Sequence, residues 1–532
     1  MISILREPDV VFFDRTTETM GTSRPSWQYL SLTASGAEAI REDADEYGVY
    51  LSAPHGVCYM TLRWNGEFSR TCRVFGDAFE RTYGDLEWRG LIAHRVMPWY
   101  CVIKDGDECV GYGVKVRPNA FCYWQIDEEG VSLTLDLRCG ASPVYLTEPL
   151  CTARLVERKG NEKPYAFLRA FCGDMADNPV FASHPVYGTN SWYYLYSAST
   201  GELIRKDAAM ASELAKGLDN RPYTVVDCGW SDSVGTKRED PCAGTAFGEG
   251  NENFGDMKTL ANDIKRFGAR PGIWLRPLCI SNGSVVPDEM VLRKVSPGDY
   301  TCLDPSMQGS LEIVAADMRR AVFDWGFELV KIDFTTYDLL GKFHMAGDIN
   351  AFNGDWVFSD TAKTSAMIIK ELYATIAKNA GDAVIIGCNC VSHLSSGYFH
   401  LYRVGDDTSG QRFERTRIMG VNTLAYRLCQ HKTFYDIDAD CMGQTESISW
   451  ALNAQWLDLL SRSGTPLFVS VHPDRITLEQ KQALKEAFYR ASLQRDILEP
   501  LDFENCAFPS RFLVNDEIRC YHWFGKEGVV DI

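Results

Sequence analysis

The hydrophobic and polar positions along the chain change rhythm once, near residue 180. Up to that point short alternating runs are separated by Gly, Pro and acidic turns, the period of two that marks half-buried strands. In VSLTLDL (131–137), Val131, Leu133, Leu135 and Leu137 share one face. With FCYWQI before it and the turn DEEG between, this run predicts a β-hairpin. Residues 1–180 are therefore expected to form an N-terminal antiparallel β-sandwich.

From residue 181 apolar runs alternate with helical segments, which is how parallel strands joined by crossovers read. Strands are expected near 189–194, 223–227, 269–275, 327–333, 383–388, 402–405, 432–437 and 466–471. Eight of them predict a closed (β/α)8 barrel over residues 181–475. The segment 310–326 illustrates the crossovers: Leu311, Val314, Ala315, Met318, Val322 and Trp325 line one helical face, and Gly326 stops the helix. Residues 476–532 follow as a C-terminal helix, 477–494, and a short β segment. The fold class is thus multidomain α/β.

Composition narrows what such a barrel would act on. At 532 residues, 45% hydrophobic and 24% charged, the chain has the makeup of a globular protein with two or three domains. Its net charge of -18 opposes nucleic-acid phosphates and anionic membrane faces, so a neutral substrate suits it better. No run approaches the roughly 18 apolar residues of a membrane span, and the start, MISILREPDVVFFDR, carries charge too early for a secretory leader. A cytoplasmic location is expected. The 18 cysteines are spread from Cys58 to Cys520 inside apolar runs, as reduced buried thiols would be. Nine histidines with no HxH or HExxH spacing predict neither a catalytic metal nor a cofactor.

The candidate chemistry lies where strands end. Asp333 closes the apolar run LVKIDF, and Asp406 and Asp407 follow Arg403 in RVGDDT. A strand buried on both faces reads as a continuous apolar run, so a charge appears only at its mouth, where (β/α) barrels keep their catalytic groups. Two carboxylates there, one ionised nucleophile and one protonated acid, are the equipment for cleaving a glycosidic bond with retention. Lys331 and Asp333 are two apart and point to one side, which sets a cation beside the nucleophile. A neighbouring carboxylate and partial burial are expected to raise the acid. Trp192, Tyr193 and Trp274 could cover the apolar face of a sugar, Asp227 could accept from its hydroxyls, and Cys228, Arg276 and Cys388 sit at the same rim.

In order, NSWYY, VDCGW, GIWLRP, LVKIDF, IGCNC, RVGDDT and DIDADC resemble the motifs of glycoside hydrolase family 36 α-galactosidases of the compact bacterial type, in the clan shared with families 27 and 31. The resemblance spans roughly residues 187–443. It implies Asp333 as nucleophile and Asp407 as acid/base, because Asp407 stands four after Arg403 and directly before Thr408. It also implies that Asp227, Trp274, Lys331, Cys388 and Arg403 line the sugar subsite, within a layout of sandwich, barrel and C-terminal β domain. Cys228 and Arg276 depart from the family pattern, and they point away from plain galactose toward a sugar such as β-L-arabinopyranose. The implied activity is a retaining exo-acting α-glycosidase on oligosaccharides or glycoconjugates, with a raffinose-synthase-type transglycosidase or a silent carbohydrate-binding barrel as alternatives.

Overall fold

A computed structural model describes residues 2–14, 41–43, 46–53, 55–231, 249–281, 286–292, 300–340, 356–493 and 498–524. The N-terminal part is a sandwich of two antiparallel sheets. One holds, side by side, Val10–Asp14, Tyr59–Asn65, Gly130–Asp136, Phe121–Asp127 and Met97–Pro98. The other runs Arg41–Asp43, Glu46–Leu51, Leu150–Gly160, Glu108–Val114, Tyr100–Asp105 and Arg73–Gly76. The predicted hairpin forms, with Asp127 opposite Gly130 and Phe121 opposite Asp136. Its even-numbered residues are covered too: Thr134 is buried and shares a hydroxyl hydrogen bond of 2.9 Å with Thr61 on the adjacent strand. The sandwich ends in the helix Pro164–Met175, which Pro164 opens by fixing φ at the first helical position.

The barrel strands are Tyr187–Asn190, Tyr223–Val226, Arg270–Leu275, Leu329–Ile332, Val384–Gly387, Leu401–Arg403, a bent seventh strand, and Leu467–Val471. Each of the first six pairs in parallel with the next, and the eighth pairs with the first. The seventh strand is split: Asp436–Asp438 pairs with strand six, and Cys441–Gln444 pairs with strand eight. Ala439 and Asp440 join the halves, and Asp440 turns the chain at φ 71°, so the ring of strands closes through one kinked strand.

Alternate residues of each strand face the barrel interior. Tyr223 and Val225, Leu329, Val384 and Ile386, Leu401, Cys441 and Phe468 pack there as an apolar plug. Continuing in steps of two toward the C-terminal ends, the same faces reach Asp227, then Lys331 and Asp333, then Cys388, then Arg403. The intervening residues Val226, Ile273, Val330, Ile332 and Ile385 face the outer helices and join the main core. Beyond the barrel, the helix Leu478–Leu493 leads to a three-stranded antiparallel sheet, Leu498–Pro500, Arg511–Val514 and Glu517–Cys520. Among the described residues no helix is long and apolar enough to cross a membrane.

Candidate active site

Asp333 follows strand four directly and is 7% exposed. Its Oδ1 accepts from the Asn389 Nδ2 and the Phe334 backbone N–H, both at 2.7 Å, and its Oδ2 accepts from the Trp274 indole N–H at 3.0 Å. Burial alone would raise this carboxyl; the Lys331 and Arg81 cations and the bonds from Trp274 and Asn389 outweigh it, so Asp333 lies below the usual carboxylate range. Two donors to it depend on strained backbone. Phe334 sits at φ 62° and Asn389 at φ 49°, conformations that non-glycine residues adopt only when their surroundings hold them. The loop after strand five is clamped by the helix Thr335–Leu340 that follows strand four: Thr336 N–H and the Thr335 hydroxyl both donate to the Asn389 carbonyl at 2.9 Å.

Lys331 faces the same interior as Asp333, as its spacing predicts, but its ammonium bonds Asp227 Oδ2 at 2.8 Å. Burial would lower Lys331; Asp227 above all overrides it and keeps the ammonium charged. Asp227 also accepts from Asn190 Nδ2 at 2.6 Å and from the Cys228 backbone N–H at 2.8 Å. The side chain expected to grip a sugar is therefore already oriented by three donors.

Strand six delivers Arg403, buried in the barrel mouth, whose Nη2 reaches Asp407 Oδ1 at 3.1 Å and the Tyr193 hydroxyl at 3.3 Å. Asp440, at the kink of strand seven, receives Arg403, the Tyr193 hydroxyl, and both the N–H and hydroxyl of Thr408 at 2.8 and 2.9 Å. Gly405 lets this turn press inward, since a Cβ there would stand 2.0 Å from the Met419 carbonyl oxygen. The outcome is that Asp407 projects into the mouth with its side chain 40% exposed.

Asp407 does not have the raised pKa expected of it. Partial burial would raise it, but Arg403, Arg81, Lys331 and Arg415 outweigh burial and hold the carboxyl down at about 2. The neighbour meant to repel it is neutralised: Asp406 pairs with Arg81 at 2.7 Å and with Arg415 at 2.8 Å. Asp407 is therefore ionised above about pH 2.

Two further expectations meet different surroundings. Arg276 turns from the rim into a buried two-pronged pair with Asp338, at 2.7 and 3.1 Å, beneath the Phe334 ring at 4.6 Å. Trp192 packs edge-on against Tyr196 at 5.3 Å, and it is the next residue, Tyr193, that enters the cluster. Trp274 is buried, with its N–H on Asp333. Cys388 is also buried, and Arg81 and Arg403 point N–H groups at its sulfur from 3.8 and 3.9 Å.

The pattern of the sequence passed over Asn190, Asn389 and Asp440, although each lies inside a motif that was singled out. It gave no sign of Arg81, which comes from the sandwich. There Thr82 N–H donates to the Val404 carbonyl and Asp406 N–H to the Thr82 carbonyl, both at 2.9 Å, so residues 81–83 run alongside the end of strand six.

No family model matches this sequence, and no curated protein does. Solved structures match over most of its length. The α-galactosidase TtGalA from Thermus thermophilus, in complex with p-nitrophenyl α-D-galactopyranoside, superposes with a TM-score of 0.63 at 18% identity, covering 91% of this chain and 96% of that one. The GH36 α-galactosidase AgaA from Geobacillus stearothermophilus gives 0.58 at 14% identity, over 85% of this chain and 66% of that one. The galactosidase domain of the α-galactosidase-sucrose kinase AgaSK gives 0.59 at 16%, over 87% and 66%. The chain has the fold of the GH36 α-galactosidases, a β-sandwich on a parallel barrel.

Proposed function

We propose that this protein is a retaining, exo-acting α-glycosidase for terminal α-galactoside-like sugars, with Asp333 as nucleophile and Asp407 as acid/base. What carries the reading is the contrast between two carboxylates at one barrel mouth. Asp333 is buried, ionised and fixed by three donors, whereas Asp407 is open to the solvent that supplies protons and water. The sugar class comes from the structures that share the fold, whose names and bound galactosides belong to those proteins.

In the first step Asp333 attacks the anomeric carbon while Asp407 gives a proton to the departing oxygen, which leaves as the alcohol. Asp407 must first gain that proton from solvent. A sugar filling the mouth excludes water, and desolvation favours the neutral carboxyl. Once Asp333 is esterified its charge is gone, Asp407 returns to the ionised form, and it takes a proton from the water that releases the sugar with its configuration retained.

The assay is turnover of aryl α-galactoside, α-N-acetylgalactosaminide, α-glucoside and β-L-arabinopyranoside, with Asp333→Asn as control. The expected result is turnover of the galactoside or the arabinopyranoside and a loss on the order of 10⁴-fold or more in the variant. Turnover that Asp333→Asn retains would refute the assignment.

A further inference from the structure

We propose that Arg81, a residue of the sandwich, is a positioning residue for the proton on Asp407, so that the barrel's acid/base step is governed from another domain; this rests on the functional reading above. The geometry is a fork across consecutive carboxylates. Nη2 of Arg81 binds Asp406 at 2.7 Å while Nη1 stands 3.7 Å from Asp407 and 3.8 Å from the Cys388 sulfur. The guanidinium is only 11% exposed, and the Nε donates to the Tyr83 hydroxyl at 3.4 Å. It is thus held by its own segment, which the Thr82 bonds to strand six fix in turn.

Nη1 is too far from Asp407 for a hydrogen bond yet close enough to act as a charge. That distance suits a group with two opposite duties. A firm bond to Arg81 would keep Asp407 from ever carrying the proton of the first step, and without the cation the carboxyl would give that proton up less readily and would stand protonated at the second step, where it must be ionised to take a proton from water. The other charges facing Asp407 are Arg403 and Asp406 on its own strand and loop, Lys331 from strand four and Arg415 from the helix that follows. Tyr193 and Asp440 lie behind Arg403. Among these cations of the described residues, only Arg81 comes from outside the barrel.

Removing a cation 3.7 Å away favours the protonated acid, so the basic limb of kcat/KM, where activity falls as Asp407 loses its proton, moves to higher pH. For a unit charge at that distance the movement is roughly one pH unit. The test uses the full chain and a trisaccharide α-galactoside whose departing alcohol needs the proton. Arg81→Gln is expected to raise the basic limb by roughly one unit, while Arg81→Lys, which keeps the charge, leaves it within a few tenths. A limb that is the same in Arg81→Gln as in the parent, or that moves equally in both variants, overturns the proposal. If Arg81→Gln fails to fold, as thermal melting would reveal, Asp406→Asn and Asp406→Asn/Arg81→Gln carry the test: with Asp406 neutral in both, the limb of the double variant is expected to stand above that of the single one, and equal limbs overturn the proposal. A parent enzyme that cleaves no glycoside on the panel defeats the functional reading itself, a result distinct from an active parent whose limb ignores Arg81.

Discussion

At the scale of single residues, the preparation of Asp333 matters more than its presence. Its charge is stabilised by hydrogen bonds that depend on Phe334 and Asn389 staying in strained conformations. Asn389→Ala removes one donor to a charged group, worth about 1.5–3 kcal/mol, so kcat/KM should fall roughly 10- to 100-fold. Because that bond lowers Asp333, losing it raises the carboxyl, and the acid limb of the pH profile moves up. A variant with an unmoved acid limb would contradict the role given to Asn389. Asp407 yields a second prediction. Its carboxyl is held at about 2, so kcat/KM for a substrate with a poor leaving group should decline as pH rises from the acidic range. A substrate whose leaving group needs no proton should show a much shallower decline. A rise toward alkaline pH with both would be incompatible with Asp407 as the acid. The sequence made both carboxylates legible because a charge at the end of an apolar run stands out. It hid what surrounds them, since Asn190 and Asn389 are uncharged residues in motifs whose neighbours drew the eye, and Arg81 sits in AFERTYGD with no pattern around it.

At the scale of elements, most strands lie within a few residues of where their apolar runs predict them. Strand seven is the instructive miss. The run at 432–437 reads as a strand through Thr433, Phe434 and Tyr435, yet Lys432 takes φ 59° and Thr433 and Phe434 bond back to the Gln430 carbonyl, making a turn. The true strand follows as Asp436–Asp438 and Cys441–Gln444, whose buried acids break the apolar signature. Those acids are there to serve the site: Asp440 anchors Arg403 and Thr408. Arg276 meets a related limit, because a polar residue after a strand looks the same in the sequence whether it faces ligand or protein. Its pair with Asp338 ties the end of strand three to the helix Thr335–Leu340 that follows Asp333. Truncating it leaves a buried carboxylate without that partner, so Arg276→Ala should destabilise the fold by about 3–5 kcal/mol in a denaturant titration. Its order of preference among the panel sugars should stay as in the parent; a reordered preference would put Arg276 back in the subsite.

At the scale of the molecule, sandwich and barrel share buried contacts. Asp77 of the sandwich, fully buried, accepts from Arg427 Nε and Gln430 Nε2, both at 2.8 Å. Trp99 of the sandwich stacks on His393 of the barrel with ring centroids 5.0 Å apart and planes 2° from parallel. Denaturant unfolding followed by fluorescence and by circular dichroism should therefore give one coincident transition for the two units; separated transitions would mean that the contact adds little. None of this joint was visible in the sequence, because patterns of period two and 3.6 report what each element buries and not which other element covers it.

The central claim is that Asp333 forms a covalent bond to the sugar while Asp407 handles the proton. The most direct measurement is to trap that species with an activated 2-deoxy-2-fluoro α-galactoside, digest the protein and locate the label by mass spectrometry. The account predicts one glycosyl group on the peptide that contains Asp333, absent in Asp333→Asn. A label on the peptide that contains Asp407, or an active enzyme that never labels and releases the inverted anomer, would contradict it.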